Sequence, residues 1–141
     1  MLSNLFVGQT VAAIAEALTS LGVRAGAGRI AVIGPSRVCR ALAERGHAVM
    51  PVVDVGDADS STLAGVVGFG VGNRDDWATL LTAWTGRISD GGAVVLVDRA
   101  PATELSRRAL CAGLTELQQR RVGRNWITSG LVTHVGERAL P

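Results

Sequence analysis

The segment RIAVIGPSRVCRALAERGHAV, residues 29–49, sets a glycine, Gly34, directly after a run of four apolar residues and Ser36 at the mouth of a helical pattern. A glycine at such a turn lets the main chain approach a ligand closely, and the N–H groups that open a helix attract phosphates and other anions. The chemistry this spacing could serve is nucleotide binding. The string GPSRVC keeps GxGxxG spacing with only its first glycine, since Ser36 and Cys39 stand where the other two belong. Pro35 removes a donor and fixes φ, and Ser36 adds a Cβ where a ligand would pass. For Ser36 the plainer role is N-cap of the helix that follows. Other reactive side chains are few. There is no tyrosine. Cys39 and Cys111 match no metal or redox spacing and read as small buried hydrophobes in helices. His47 begins a strand just past a helix end and His134 lies near the end of the last one. Neither has a partner acid in phase, so both read as structural. No metal-ligand cluster is present.

A chain of 141 residues makes one domain with a single core. Apolar content is high and charge modest, which excludes a disordered chain. All fourteen basic residues are arginine, yet twelve acids leave a net charge of only +2. Arg107, Arg108, Arg120, Arg121 and Arg124 cluster in sequence without interleaved aromatics or a nucleic-acid motif, and read as a solvated helix end and strand face. A nucleic-acid partner is therefore not expected. No basic region precedes the apolar N-terminus, and no apolar stretch reaches membrane-span length. The expectation is a soluble, cytoplasmic, reduced protein with no membrane partner.

These residues need elements to position them. Val11, Ile14, Leu18 and Leu21 share one stripe of a helix over 9–21, ended by Gly22 and the loose RAGAG stretch. Ahead of it, Leu2, Leu5 and Phe6 form a short apolar arm that must dock on the sheet or on another subunit. Residues 1–28 thus read as arm and helix, and 29–141 as the rest of the single domain. IAVIG (30–34) is a strand covered on both faces, and a helix over 37–46 follows, closed by Gly46. HAVMPVVDV (47–55) and LAGVVGFGV (63–71) are the next strands. The segment 74–88 sets Trp77, Leu80, Leu81, Trp84 and Ile88 on one helical face, with Asp75 or Asp76 as cap. On that face the two tryptophans read as core. SDGG (89–92) is a turn and AVVLVD (93–98) the clearest buried strand. A helix over 102–114 leads to ELQQRRV (116–122) and WITSGLVTHV (126–135), a hairpin joined through Gly123-Arg124-Asn125. Strands alternating with helices predict an α/β fold, an open, mostly parallel Rossmann-like sheet with helices on both faces and a C-terminal antiparallel hairpin.

With LAGVVGFGVGNRDDWATLLTAWTGRISDGGAVVLVDRA and ELSRRALCAGLTELQQRRVGRNWITSGLV in this order, the chain resembles class I S-adenosylmethionine-dependent methyltransferases over about residues 29–135. The first string is similar to that family's fourth strand, its helix and the GG turn into the fifth; the second is similar to the closing helix and hairpin. The resemblance implies cofactor contacts in three places. They are the turn at Gly34 and Ser36, an acid ending the second strand (Asp54, although the family's phase points to Val53), and an acid and backbone after the third strand. Gly70 would lie beside them at the strand ends, and Asn73 occupies a place where the family puts substrate-contacting groups. The chain departs from the family most at the third place. Between Asp54 and Leu63 stands only VGDADSST, whereas a crossover between parallel strands takes about a dozen residues or more. The third strand and the helix before it are expected to be missing. Pro51 agrees, since proline is confined to sheet edges and bulges, and the deletion would turn the second strand into an edge.

The expectation is a shortened, degenerate methyltransferase-like domain that has lost its cofactor. It would act through protein contacts as a partner, assembly or scaffold subunit, with self-association as a homodimer the simplest outcome. Leu2, Leu5, Phe6 and Pro51 are the candidate contact residues. Gly34, Ser36, Asp54 and Gly70 are the vestigial cofactor site. Two alternatives stay open: a small active methyltransferase that uses S-adenosylmethionine, and a nucleotide or anion-binding module built on the helix after Pro35.

Overall fold

A computed structural model of the protein describes residues 4–52, 63–99 and 101–133, with side chains from Val7 onward. In chain order the elements are α1 (Asn4–Ser20), β1 (Arg29–Ile33), α2 (Ser36–Glu44), β2 (Ala48–Pro51), β3 (Leu63–Phe69), α3 (Trp77–Thr85), β4 (Ile88–Asp98), α4 (Ala102–Cys111), β5 (Thr115–Val122) and β6 (Asn125–Leu131). The six strands form one sheet in the order β2-β1-β3-β4-β6-β5. The first four are mutually parallel, and β6 runs antiparallel to both β4 and β5.

Alternation along the central strands builds two apolar layers, because successive side chains leave a strand on opposite faces. Ile30 and Val32 of β1, with Ala93, Val95 and Val97 of β4, pack with Val11, Ile14 and Leu18 of α1 and Val38 and Leu42 of α2. On the other face Ala31, Val94 and Leu96 pack with Leu81 and Trp84 of α3 and Ala109 of α4. The runs IAVI and AVVLV are apolar throughout because both of their faces are covered.

Besides Ile88, which is expected on the face of the helix over 74–88 and instead opens β4, three boundaries differ from the sequence reading. Helix α1 begins at Asn4, so Leu5 and Phe6 belong to its first turn and not to a separate arm; Leu2 lies outside the described residues. Gly8 inside the helix costs about 1 kcal/mol in propensity but does not break it, and Val7 before it is buried with Val11 and Ile14. Strand β4 absorbs the expected SDGG turn as a bulge. Leu63 of β3 faces Ile88 and Gly65 faces Ala93, so residues 89–92 of β4 lie opposite Ala64 alone. Gly91, with φ of 88°, donates its N–H to Val132 O, and Gly92 O accepts from Val132 N, which keeps the bulge hydrogen-bonded.

The third difference is at β2, which stops at Pro51. Among the described residues β2 is the edge of the sheet. The Val52 N–H points inward and donates to Val32 O of β1 at 3.1 Å. N–H groups alternate in direction along a strand, so the nitrogen of Pro51 faces outward, where among the described residues no neighbour needs its missing proton. The proline therefore blunts the open side of the strand while leaving the β1 ladder intact.

Close packing at β3 gives the first prediction. A Cβ on Gly68 would lie 2.7 Å from Cη2 and 2.9 Å from Cζ3 of the buried Trp84 ring, and 3.0 Å from Val71 Cγ2. Gly68→Ala should therefore cost about 1–3 kcal/mol in urea denaturation, the usual penalty of overpacking. An unchanged midpoint would mean that the ring has room to move.

Candidate functional site at the carboxyl end of the sheet

In an open parallel sheet, ligands bind beyond the carboxyl ends of the strands, where the strand order reverses. Here that point lies between β1, which leads outward to β2, and β3, which leads the other way to β4. Ile33 faces Gly68 in the ladder, so Gly34 and Gly70, two of the residues expected in the site, emerge side by side at the strand ends.

Their surroundings differ. A Cβ on Gly34 would lie 2.6 Å from Cδ1 and 3.0 Å from Cγ of Phe69. Gly34 is thus obligatory because the Phe69 ring, itself packed against the α1–α2 layer, lies against its backbone. Gly70 is obligatory for conformation: its φ is 76°, no atom lies within 4 Å of where its Cβ would be, and its N–H is bonded to Val97 O at 2.9 Å. Ser36 is the first residue of α2 and not its cap. Pro35 holds the N-cap position, with φ −60° and ψ 141°, and no side chain closes the helix end. Instead the Pro35 carbonyl accepts from Val38 N at 3.0 Å and Cys39 N at 3.4 Å. Cys39, at the last glycine position of the GxGxxG spacing, is packed in the α1–α2 layer, and burial raises its thiol pKa. Asp54 and Val53 lie outside the described residues.

A second cluster, which the sequence analysis did not single out, lies at the ends of β3 and β4. Asp98 closes the apolar run AVVLVD and is only 2% exposed, and neither of its carboxylate oxygens has a hydrogen-bond partner of ordinary geometry. Burial pushes its pKa up to about 6, against the opposing pull of the Asn73 and Gly72 backbone N–H groups and the Arg108 guanidinium. Gly72 leaves it room, since a Cβ there would lie 2.7 Å from Asp98 Oδ2 and 2.7 Å from Leu105 Cδ2. Arg108 of α4 donates to Gly72 O and, through Nε, to Glu104 Oε1 at 3.0 Å. Its guanidinium stands 5.2 Å from the centre of the half-buried Trp77 ring, and that of Arg107 stands 5.9 Å away. Hydrogen bonds from Arg107 first and Arg108 second hold the Glu104 carboxylate at about 2. The cluster ties α4 and α3 to the β3–α3 connection. A carboxyl group that titrates near neutrality can move a proton, but this one is sealed beneath its neighbours. The readable signal was a carboxylate ending a strand covered on both faces, which calls for a cation nearby.

The remaining candidates are dispersed. Trp84 is fully buried in the core. Asp76 stands at the N-cap of α3, but its carboxylate is turned to Arg74, with Nε–Oδ1 at 2.9 Å, and does not cap the helix. His47 is buried with Nδ1 unpartnered, and burial, with Arg45 as the lesser cause, lowers its pKa. His134 lies outside the described residues. Arg120 pairs with Glu16 of α1, and Arg121 Nε donates to Gly123 O at 3.0 Å. Among the described residues no group of acids, cysteines and histidines could hold a metal ion, and no helix is long and apolar enough to cross a membrane.

No protein-family model and no curated sequence matches the chain. Solved structures do. A methyltransferase in complex with the Trm112 methyltransferase activator from Haloferax volcanii superposes with a TM-score of 0.67 at 12% identity, over 84% of this chain and 87% of that one. A SAM-dependent methyltransferase from Thermotoga maritima gives 0.62 at 14% identity, over 92% of both chains. A ribosomal protein L11 methylase from Lactobacillus delbrueckii subsp. bulgaricus gives 0.60 at 12% identity, over 94% and 81%. The fold is that of class I S-adenosylmethionine-dependent methyltransferases, as the resemblance implied.

Asp98 makes stability depend on pH. Its folded pKa of about 6 lies above the unfolded value of 3.8, so the folded protein binds the proton more tightly. The penalty of a buried charge is absent below the unfolded value, grows as pH rises through the interval, and is complete above the folded one. About 3 kcal/mol should be lost between pH ~4 and pH ~7. Asp98→Asn should be more stable than the wild type near pH 7.5, show no gain near pH 4, and flatten the profile in chemical denaturation. A variant that is less stable at both pH values would show that the carboxylate is favourably paired.

Proposed function

We propose that this methyltransferase-like domain has given up S-adenosylmethionine and works through protein contacts, as a partner or assembly subunit. The observation that carries the reading is the Phe69 ring against Gly34 at the point where the strand order reverses. A cofactor needs the main chain bare at that turn, and the aromatic side chain of Phe69 on the neighbouring strand lies against it, which supports the reading. Two features support the same reading. The turn is reduced to Gly34 and Pro35 before α2 begins. On the far side, β2 is the sheet edge among the described residues, and none of the described strands lies beyond it. The fold itself is compatible with a protein partner, since the Haloferax volcanii methyltransferase was solved in complex with its activator.

The competing reading is a small S-adenosylmethionine-dependent methyltransferase, favoured by the fold of its structural neighbours. It requires Phe69 to swing away from Gly34 at a cost that binding must offset. Calorimetry with S-adenosylmethionine and S-adenosylhomocysteine separates the two. The expected result is no heat of binding and no thermal shift, whereas a ligand at a hundredfold excess over its Kd would add about 2.7 kcal/mol of stability. Saturable binding at micromolar ligand would overturn the proposal. Phe69→Ala then reports on the cause: if the ring alone keeps the site shut, this variant gains affinity that the wild type lacks.

A further inference from the structure

The two edges of the sheet are unlike. β2 is four residues long, and Pro51 removes an outward donor from it. β5 is eight residues long, and among the described residues nothing pairs with its outer side. The hairpin turn is Gly123-Arg124, with Val122 facing Asn125 and Gly123 at φ 61°. In a hairpin closed by two residues the flanking pair is hydrogen-bonded, and bonding alternates from there. Arg120 and Gln118 therefore bond to β6, and the N–H and C=O groups of Gln119 and Arg121 face outward. Beside this edge runs a groove of about 520 Å³ between α1 and the hairpin, which exists because Ala13 and Ala17 are too small to fill it against Gln118 and Arg120.

Charge along β5 is polarised. Glu116 stands at one end, and Arg120, Arg121 and Arg124 stand at the other. Glu116 has φ 51° and sits in the bulge between Thr115 and Gln118, which bends it out of the ladder. A parallel copy of this strand would set arginine against arginine. An antiparallel copy sets the arginine end of each strand against the Glu116 of the other, twice, as a two-fold axis requires. We infer that β5 pairs antiparallel with β5 of a second copy of this chain about a two-fold axis, joining two sheets into one. The pairing rests on the protein-contact reading above and names its first partner. Two arginine-rich ends stay at opposite ends of the joint, so the repulsion that charged edges normally exert becomes attraction in this one orientation.

Analytical ultracentrifugation of the full chain over a roughly hundredfold concentration range tests this, because a dimer that forms by mass action dissociates on dilution. The expected result is a monomer–dimer equilibrium. Glu116→Arg and Arg121→Glu should each weaken it about tenfold or more by opposing like charges, and a mixture of the two variants should recover a mixed dimer of wild-type affinity. Arg121→Pro, which deletes an outward N–H without touching β6, should also give monomer, with circular dichroism to verify its fold. A wild type that stays monomeric throughout overturns the proposal. So does a dimer indifferent to the charge reversals, or a mixture that fails to associate. The cofactor titration is read on the same samples: a dimer that binds S-adenosylmethionine removes the non-catalytic reading and leaves this interface, and a monomer that binds none does the reverse.

Discussion

The structure depends on burial of β1, β3 and β4 from both sides. Those strands carry almost nothing but Val, Ile, Leu, Ala and Gly, and they offer no polar face that could tolerate water. Each must have a helix layer above and below, and the chain supplies α1 and α2 to one face and α3 and α4 to the other. This requirement fixes the crossovers and places every strand end of the parallel half at one rim of the molecule. It also explains why α1 reaches from Asn4 to Ser20: without it the α2 side of β4 and β6 would lie bare.

Two sets of contacts stand at that rim. Phe69 lies against Gly34 after β1, and Asp98 clusters with Arg108 and Gly72 at the end of β4. The two contacts use different physics. The first is apolar contact with a backbone that has no side chain to interfere. The second is a buried carboxylate whose desolvation is only partly offset by surrounding donors. The ties between elements at this place come from Arg108, which reaches Gly72 O and Glu104, while the Asp98 charge weighs against folding as pH rises.

The layered fold was legible because its signals are local and repeated. IAVIG, AVVLVD and the Trp77–Trp84 helix face each announce their type within a few residues. Pro51, combined with the short stretch before Leu63, also located an edge that the sheet order displays. The rim was much less legible. Whether Gly34 meets a ligand or an aromatic ring depends on Phe69, thirty-five positions away and in contact only once β1 and β3 have paired. Asp98 and Arg108 are brought together by the return of α4, which no spacing rule encodes. Ser36 was misjudged for a local reason: Pro35, already pre-set in φ, took the N-cap position ahead of it.

The proline at the margin of β2 has one more effect. A flat array of strands with two receptive sides can add copies indefinitely and grow into a filament. With one edge of the described sheet blunted, strand-to-strand association through the hairpin side favours a single step. Pairing of that kind gives a closed, finite object and disfavours a polymer built by sheet extension.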